Sequence, residues 1–208
     1  MFIRTERSVS DFIKLYPIVS FLAILNLSLW FIINILKIPF GLKLYDLGVG
    51  HNLSILLLDE YWRLVTSIFL HADFGHVIFN TFALILFGPA LEKMLGSFKF
   101  IFIYLFTGII GNLGTFIINM QSYIPHLGAS GAIYGLFGIY IFMVFFRKDL
   151  IGRTDSQIIK TIFVLGIVMS ILMPNINISA HLFGFVGGFL IGPLILKKAK
   201  NISSPTYY

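Results

Sequence analysis

The sequence predicts an all-α polytopic membrane protein, a bundle of six transmembrane helices with a long membrane-associated first outer loop. Three observations carry that prediction. The 208 residues are 58% hydrophobic and only 12% charged, at a mean hydropathy of +0.93, whereas a soluble domain is about a quarter charged. Uncharged runs long enough to cross a bilayer recur along the chain. The basic residues fall into alternate connections between those runs.

The first run, 17–36, competes with a signal peptide as an explanation. It is longer than a signal core and lacks a small-residue cleavage site, so it reads as a retained helix. The second covers 77–91 and extends upward through Gly75 and His76. The third and fourth cover 100–118 and 127–146. The fifth, 161–173, is the shortest and reaches full length if Lys160 snorkels from its end. The sixth covers 178–196. With the N-terminus cytoplasmic, Arg4, Arg7, Lys14, Lys93, Lys99, Arg147, Lys148, Arg153, Lys160, Lys197, Lys198 and Lys200 lie inside, and Lys37, Lys43 and Arg63 outside. That twelve-to-three asymmetry puts both termini in the cytoplasm and starts every even-numbered span at the outer face.

The connection 38–74 holds two apolar pieces, 55–58 and 64–70, each too short to span. Backbone at membrane depth must satisfy its own hydrogen bonds, so these pieces read as short helices lying partly in the outer leaflet. The chain divides into a cytoplasmic segment 1–16, a six-helix domain 17–197 and a cytoplasmic tail 198–208, disordered from Asn201. No cysteine occurs, which excludes disulfides, thiol nucleophiles and Cys-ligated metals. The formal charge of +6 is accounted for by the inner loops, and no nucleic-acid-binding pattern accompanies it.

Polar side chains inside spans are costly and therefore candidate functional groups. Ser130 lies three residues below Leu127, and His181 three residues below Ile178. At ~1.5 Å per residue both sit roughly 5 Å beneath the outer ends of their spans. Two helices can thus present a hydroxyl and an imidazole at matching depth. His76 and Asn80, four residues apart on one helical face, open span two at the same outer side.

A serine needs a base to become a nucleophile, and His181 is the candidate. No acid follows Asp155, so the arrangement reads as a Ser–His dyad rather than a triad. Tyr134, one turn below Ser130, can pack on the imidazole. The N–H of Ser130 near a helix start, with His76 and Asn80, can serve a developing oxyanion. Gly128 and Gly131 allow close approach of backbone and substrate.

Competing readings exist for each feature. A membrane serine commonly bonds a carbonyl of its own helix. Gly131, Gly135 and Gly138, and the Gly184/Gly188 pair, fit helix packing, which would let spans four and six touch. His71, His76 and His181 could be three metal ligands. His51 and His126 read as ordinary loop histidines.

Taken together, "YWRLVTSIFLHADFGHVIFN" (61–80), "LEKMLG" (91–96), "GASGAIYG" (128–135) and "AHLFGFVGG" (180–188) resemble the rhomboid intramembrane serine proteases. The likeness covers roughly 15–197. The ordered set HxxxN, GxSG and AHxxG is specific where each motif alone is weak. The resemblance implies Ser130 as nucleophile, His181 as general base, His76 and Asn80 in the oxyanion hole, and Tyr134 stacked on His181. Trp62–Arg63 matches the family's WR pair in the first outer loop, and Glu92 with Gly96 its ExxxG; both imply structural roles. His71 matches a supporting loop histidine.

The resemblance further implies the minimal six-helix form, without a separate soluble N-terminal domain or a seventh span. It implies transmembrane protein substrates and the lipid bilayer as partners, with no nucleic acid, no metal and no cofactor. A bacterial plasma membrane fits the topology. Two other classes remain in view. One is a catalytically silent relative that binds membrane segments without cutting them. The other is a small transporter or metal-handling protein built on the three histidines.

Overall fold

The computed structural model describes residues 8–174 and 176–199. Arg4, Arg7 and Lys200 of the charge asymmetry, and the expected disordered tail, lie outside the described residues. Among the described residues every regular element is a helix, and one isolated bridge pairs Gly50 with His126.

A short helix α1 (Val9–Leu15) leads into α2 (Pro17–Trp30), which starts on a proline at its first position and runs on as a π-helical turn, Phe31–Leu36. Proline suits the first turn because its missing N–H would have had no partner there. The long connection folds into three short helices: α3 (Pro39–Gly48), α4 (Asn52–Leu58) and α5 (Arg63–Thr66), with a 3-10 turn over Ser67–Phe69. Both short apolar pieces therefore became helix. Arg63 holds this region together by donating to the carbonyls of Asp46 and Val49 and pairing with Glu60, while Trp62 Nε1 donates to Leu47 O.

The remaining helices are α6 (Phe74–Leu95), α7 (Ser97–Ile118), α8 (Ser130–Phe146), α9 (Arg153–Leu172) and α10 (Ile178–Ile195). Five segments, Pro17–Leu36, α6, α7, α9 and α10, are long and apolar enough to cross a membrane, and α8 is a shorter apolar helix of 17 residues. Two of the boundaries that differ from the sequence expectation bear on the site. The shortest spanning helix is α8, not the fifth span. α8 starts at Ser130 rather than Leu127 because Gly128 takes φ +124°, a conformation that cannot continue a helix. α9 starts at Arg153 because its polar first turns, with Asp155 near the N-terminus, extend the apolar run as regular helix.

Burial explains the arrangement. α8 is buried on nearly all sides, with Ala132, Leu136, Ile139, Tyr140 and Met143 fully inside, so it is the central helix. α10 presses against it along Gly184 and Gly188, whose absent side chains would collide with the carbonyls of Gly131 and Gly135. Small residues at four-residue spacing let two membrane helices meet backbone to backbone. The two even spans touch as the glycine spacing suggested. At the other end of the bundle, buried Glu92 of α6 accepts from Ile18 N–H and Val19 N–H, both at 2.9 Å, and from Ser97 Oγ at 2.6 Å. A carboxylate here caps the start of α2, which is what makes the ExxxG segment structural. Gly96, at φ +84°, makes the turn into α7.

Candidate active site

The site forms where α6, α8 and α10 all begin. The loop 119–129 is held before it reaches α8. Gly50 and His126 exchange two backbone hydrogen bonds of 2.9 and 2.8 Å. His126 Nε2 lies 3.0 Å from Asn52 Oδ1, which can only accept, so that nitrogen carries the proton. Asn52 Nδ2 in turn donates to Asn119 O at 2.7 Å. Nearer the helix, Gly128 N–H donates to Ser67 O at 2.9 Å and Ala129 N–H to His71 Nε2 at 3.4 Å. Burial, reinforced by the neighbouring His76, pushes His71 down to about 3. A neutral His71 can therefore accept from Ala129. Burial likewise pushes His126 down to about 4, with His51 adding to it.

These contacts deliver Ser130 as the first residue of α8, half-buried. The first N–H groups of a helix have no intrahelical acceptor, so the Ser130 end offers donors to an anion. His76 comes to the same place. A Cβ on Gly128 would lie 2.6 Å from His76 Nε2, so the imidazole rests on the backbone two residues before Ser130. Asp73 caps α6 by accepting from His76 N–H. The His71 and His76 rings meet edge to face at 5.0 Å. Asn80, buried one turn further on, uses one of its two amide hydrogens on His76 O at 2.9 Å.

His181 arrives on the first turn of α10. Asn177 starts that helix by accepting from Ala180 N–H, and its Oδ1 also takes the Thr115 hydroxyl, both at 3.0 Å. Ala180 lies against Gly111 of α7 and Gly131 of α8. His181 then stacks on Tyr134 with ring centroids 4.1 Å apart and planes 10° from parallel. Since Ser130 and Tyr134 share one face of α8, the imidazole stands beside the hydroxyl's helix turn. Ser130 Oγ has no hydrogen bond among the described residues, so the common alternative, a bond to its own helix, is not what the structure displays.

Ser130, His181, Tyr134, His76, Asn80, His71, Gly128 and Gly131 thus gather at one end of the bundle. Trp62 and Arg63 stand apart, bracing the α3–α5 region. Among the described residues, no group of three or more His, Asp or Glu side chains converges as a metal site. One partner was missed from sequence. Ser170 of α9 places its Oγ 2.8 Å from His181 Nδ1 and 2.7 Å from Tyr134 Oη. The available signal was faint: a serine four residues after Gly166 in an otherwise apolar run.

The fold and this end of it define a polytopic helical membrane protein with a serine, three histidines and an asparagine gathered where its helices begin. A Rhomboid domain model matches residues 58–198. YdcA of Bacillus subtilis (strain 168), which carries a rhomboid-protease name, is 46% identical over 97% of this chain and 99% of its own length. Rhomboid protease GluP of the same organism is 38% identical over 68% of this chain, and the match spans 27% of GluP. RHOMBOID-like protein 1 of Arabidopsis thaliana is 31% identical over 76% of this chain and 40% of its own. The chain belongs to the rhomboid family.

Proposed function

We propose that this chain is an intramembrane serine endopeptidase that hydrolyses peptide bonds in or near transmembrane segments of membrane proteins, using Ser130 and His181 as a dyad. The observation that carries the proposal is the union of two helix starts. Gly131 and Gly184 meet backbone to backbone, and Tyr134 stacks on His181 one turn from Ser130. Membership of a family with relatives named rhomboid protease supports the same chemistry.

In this mechanism Ser130 Oγ attacks the scissile carbonyl while His181 Nε2 takes the hydroxyl proton. The oxyanion is stabilised by the Ser130 N–H at the α8 start, His76 Nε2–H and the remaining amide hydrogen of Asn80. His181 passes the proton to the leaving amine. Water then attacks the acyl-enzyme, with His181 again as base, and Ser130 is regenerated. Small residues at the scissile position suit a site whose walls are glycine backbone. The proposal extends to topology. The domain spans 17–197, flanked by cytoplasmic segments 1–16 and 198–208, and both termini face the cytoplasm of a bacterial plasma membrane. The site then opens to the outer face, as the distribution of basic residues supports.

The test is labelling of purified, detergent-solubilised protein with a fluorophosphonate. Wild type should label, and Ser130→Ala and His181→Ala should not, each with unchanged melting. A folded wild-type protein that resists the reagent, or either variant labelling near the wild-type rate, would overturn the dyad. The first result would favour a silent binder of membrane segments.

A further inference from the structure

We infer that Ser170 is a positioning residue for His181. Its hydroxyl holds the imidazole in the tautomer protonated at Nδ1, leaving Nε2 free to act as the base toward Ser130. The inference rests on the proposed dyad and concerns a residue on a helix that contributes nothing to the recognised motifs.

Counting hydrogens around Ser170 Oγ fixes the tautomer. Ser170 Oγ makes three short contacts: 2.8 Å to Gly166 O, 2.8 Å to His181 Nδ1 and 2.7 Å to Tyr134 Oη. A hydroxyl has one hydrogen to give and two lone pairs with which to accept. The Gly166 carbonyl can only accept, so the Ser170 hydrogen goes there. The other two partners must then donate. Tyr134 gives its O–H and His181 gives Nδ1–H. Were Nδ1 unprotonated, it and Gly166 O would compete for one hydrogen, leaving a pair of lone pairs facing each other at 2.8 Å. Only the Nδ1–H tautomer satisfies all three contacts.

The surroundings are shaped for this. α9 is the least buried of the long helices, and Ile159 and Ser170 are its only buried residues. Ser170 is therefore the one buried side chain in the half of α9 nearest the site. Gly166 has no Cβ because one would lie 2.9 Å from Tyr134 Oη. The Gly166–Ser170 turn thus accommodates the tyrosine hydroxyl while presenting its own. Tyr134 orients the ring plane by stacking, and Ser170 fixes rotation within that plane. When Nε2 takes the Ser130 proton, the imidazolium keeps donating Nδ1–H to Ser170. No proton passes to Ser170, whose own hydrogen stays on the Gly166 carbonyl.

The experiment combines nitrogen NMR of histidine-labelled protein in detergent, above the pH at which imidazoles protonate, with fluorophosphonate labelling rates. The His181 signals are assigned by their loss in His181→Gln. Wild type should show Nδ1 protonated and Nε2 bare. Ser170→Ala should populate the opposite tautomer and label about 10- to 100-fold more slowly, the loss of one hydrogen bond to an ionised group. Ser170→Thr, which keeps the hydroxyl, should restore both. The inference is overturned if wild-type His181 carries its proton on Nε2, or if Ser170→Ala keeps wild-type tautomer and rate. Should Ser170→Ala fail to fold, the wild-type shifts and the threonine variant still decide. Wild type that resists the reagent sinks the hydrolase proposal, while the nitrogen shifts judge the tautomer independently.

Discussion

Gly111 tests whether spacing between α7 and α10 sets the alignment of the site. A Cβ built there lies 2.7 Å from Ala180 O and 3.4 Å from Ala180 C. Both atoms are backbone, so no rotamer change can relieve the contact. Restoring ordinary van der Waals distance needs a separation of about 0.7 Å at the residue that precedes His181. A misplacement of about 1 Å in a catalytic constellation costs about 100-fold, so Gly111→Ala should slow fluorophosphonate labelling by roughly 10-fold. Overpacking costs about 1–3 kcal/mol, offset by about 1 kcal/mol from replacing a helical glycine with alanine. Melting should therefore fall only slightly. The control is Gly152→Ala at the start of α9, where the nearest atom to the new Cβ is Asp155 Oδ2 at 3.6 Å. It should label as wild type. If Gly111→Ala does the same, the α7–α10 contact does not hold His181 in place, and the account of how the site is positioned fails.

Two further outcomes follow from buried polar groups away from the site. Glu92→Gln should destabilise the protein by about 2–3 kcal/mol, because Ile18 N–H and Val19 N–H donate to different carboxylate oxygens and the amide NH2 that replaces one oxygen would face one of these donors; thermal melting beside Lys93→Gln reads this, and equal melting of the two refutes the cap. Acid should loosen the loop that carries Ser130. His126 and His71 are held at about 4 and about 3 when folded, below the ordinary 6.5. The unfolded chain therefore binds protons first as pH falls. Their contribution is fully present above about pH 6.5 and is lost between 6.5 and about 4, by about 1.4 kcal/mol per histidine per pH unit. Melting at stepped pH should show that slope, and His126→Gln should make it shallower; a flat profile would refute it.

The spans were legible because lipid imposes one simple rule, uninterrupted apolar length. Their ends were less so. Nothing in the hydropathy of 127–129 distinguishes helix from loop, and the decision falls to a single backbone angle at Gly128. The fifth span read short because Arg153, Asp155 and Lys160 interrupt the apolar run, although charged residues lie comfortably in the first turns of a helix that projects beyond the apolar layer. The gathering of Ser130, His181, His76 and Asn80 at one end was derivable from topology, since every even span starts on the same side. Tyr134 followed from helical periodicity.

Ser170 was legible in depth but not in role. It lies three residues before Met173, the outer end of an odd-numbered span, so its depth matches Ser130 and His181 by the same count, but nothing in the sequence turns it toward His181. Its facing depends on how α9 packs against α8, where Gly166 leaves room for the Tyr134 hydroxyl, a contact between different helices with no periodic trace. Its chemistry is also that of any membrane serine, which commonly bonds the carbonyl four residues earlier, and Ser170 does this too. The local bond is what frees the two lone pairs to face His181 and Tyr134. An interaction that looks like simple helix satisfaction in one dimension therefore fixes, in three, which nitrogen of His181 is available as a base.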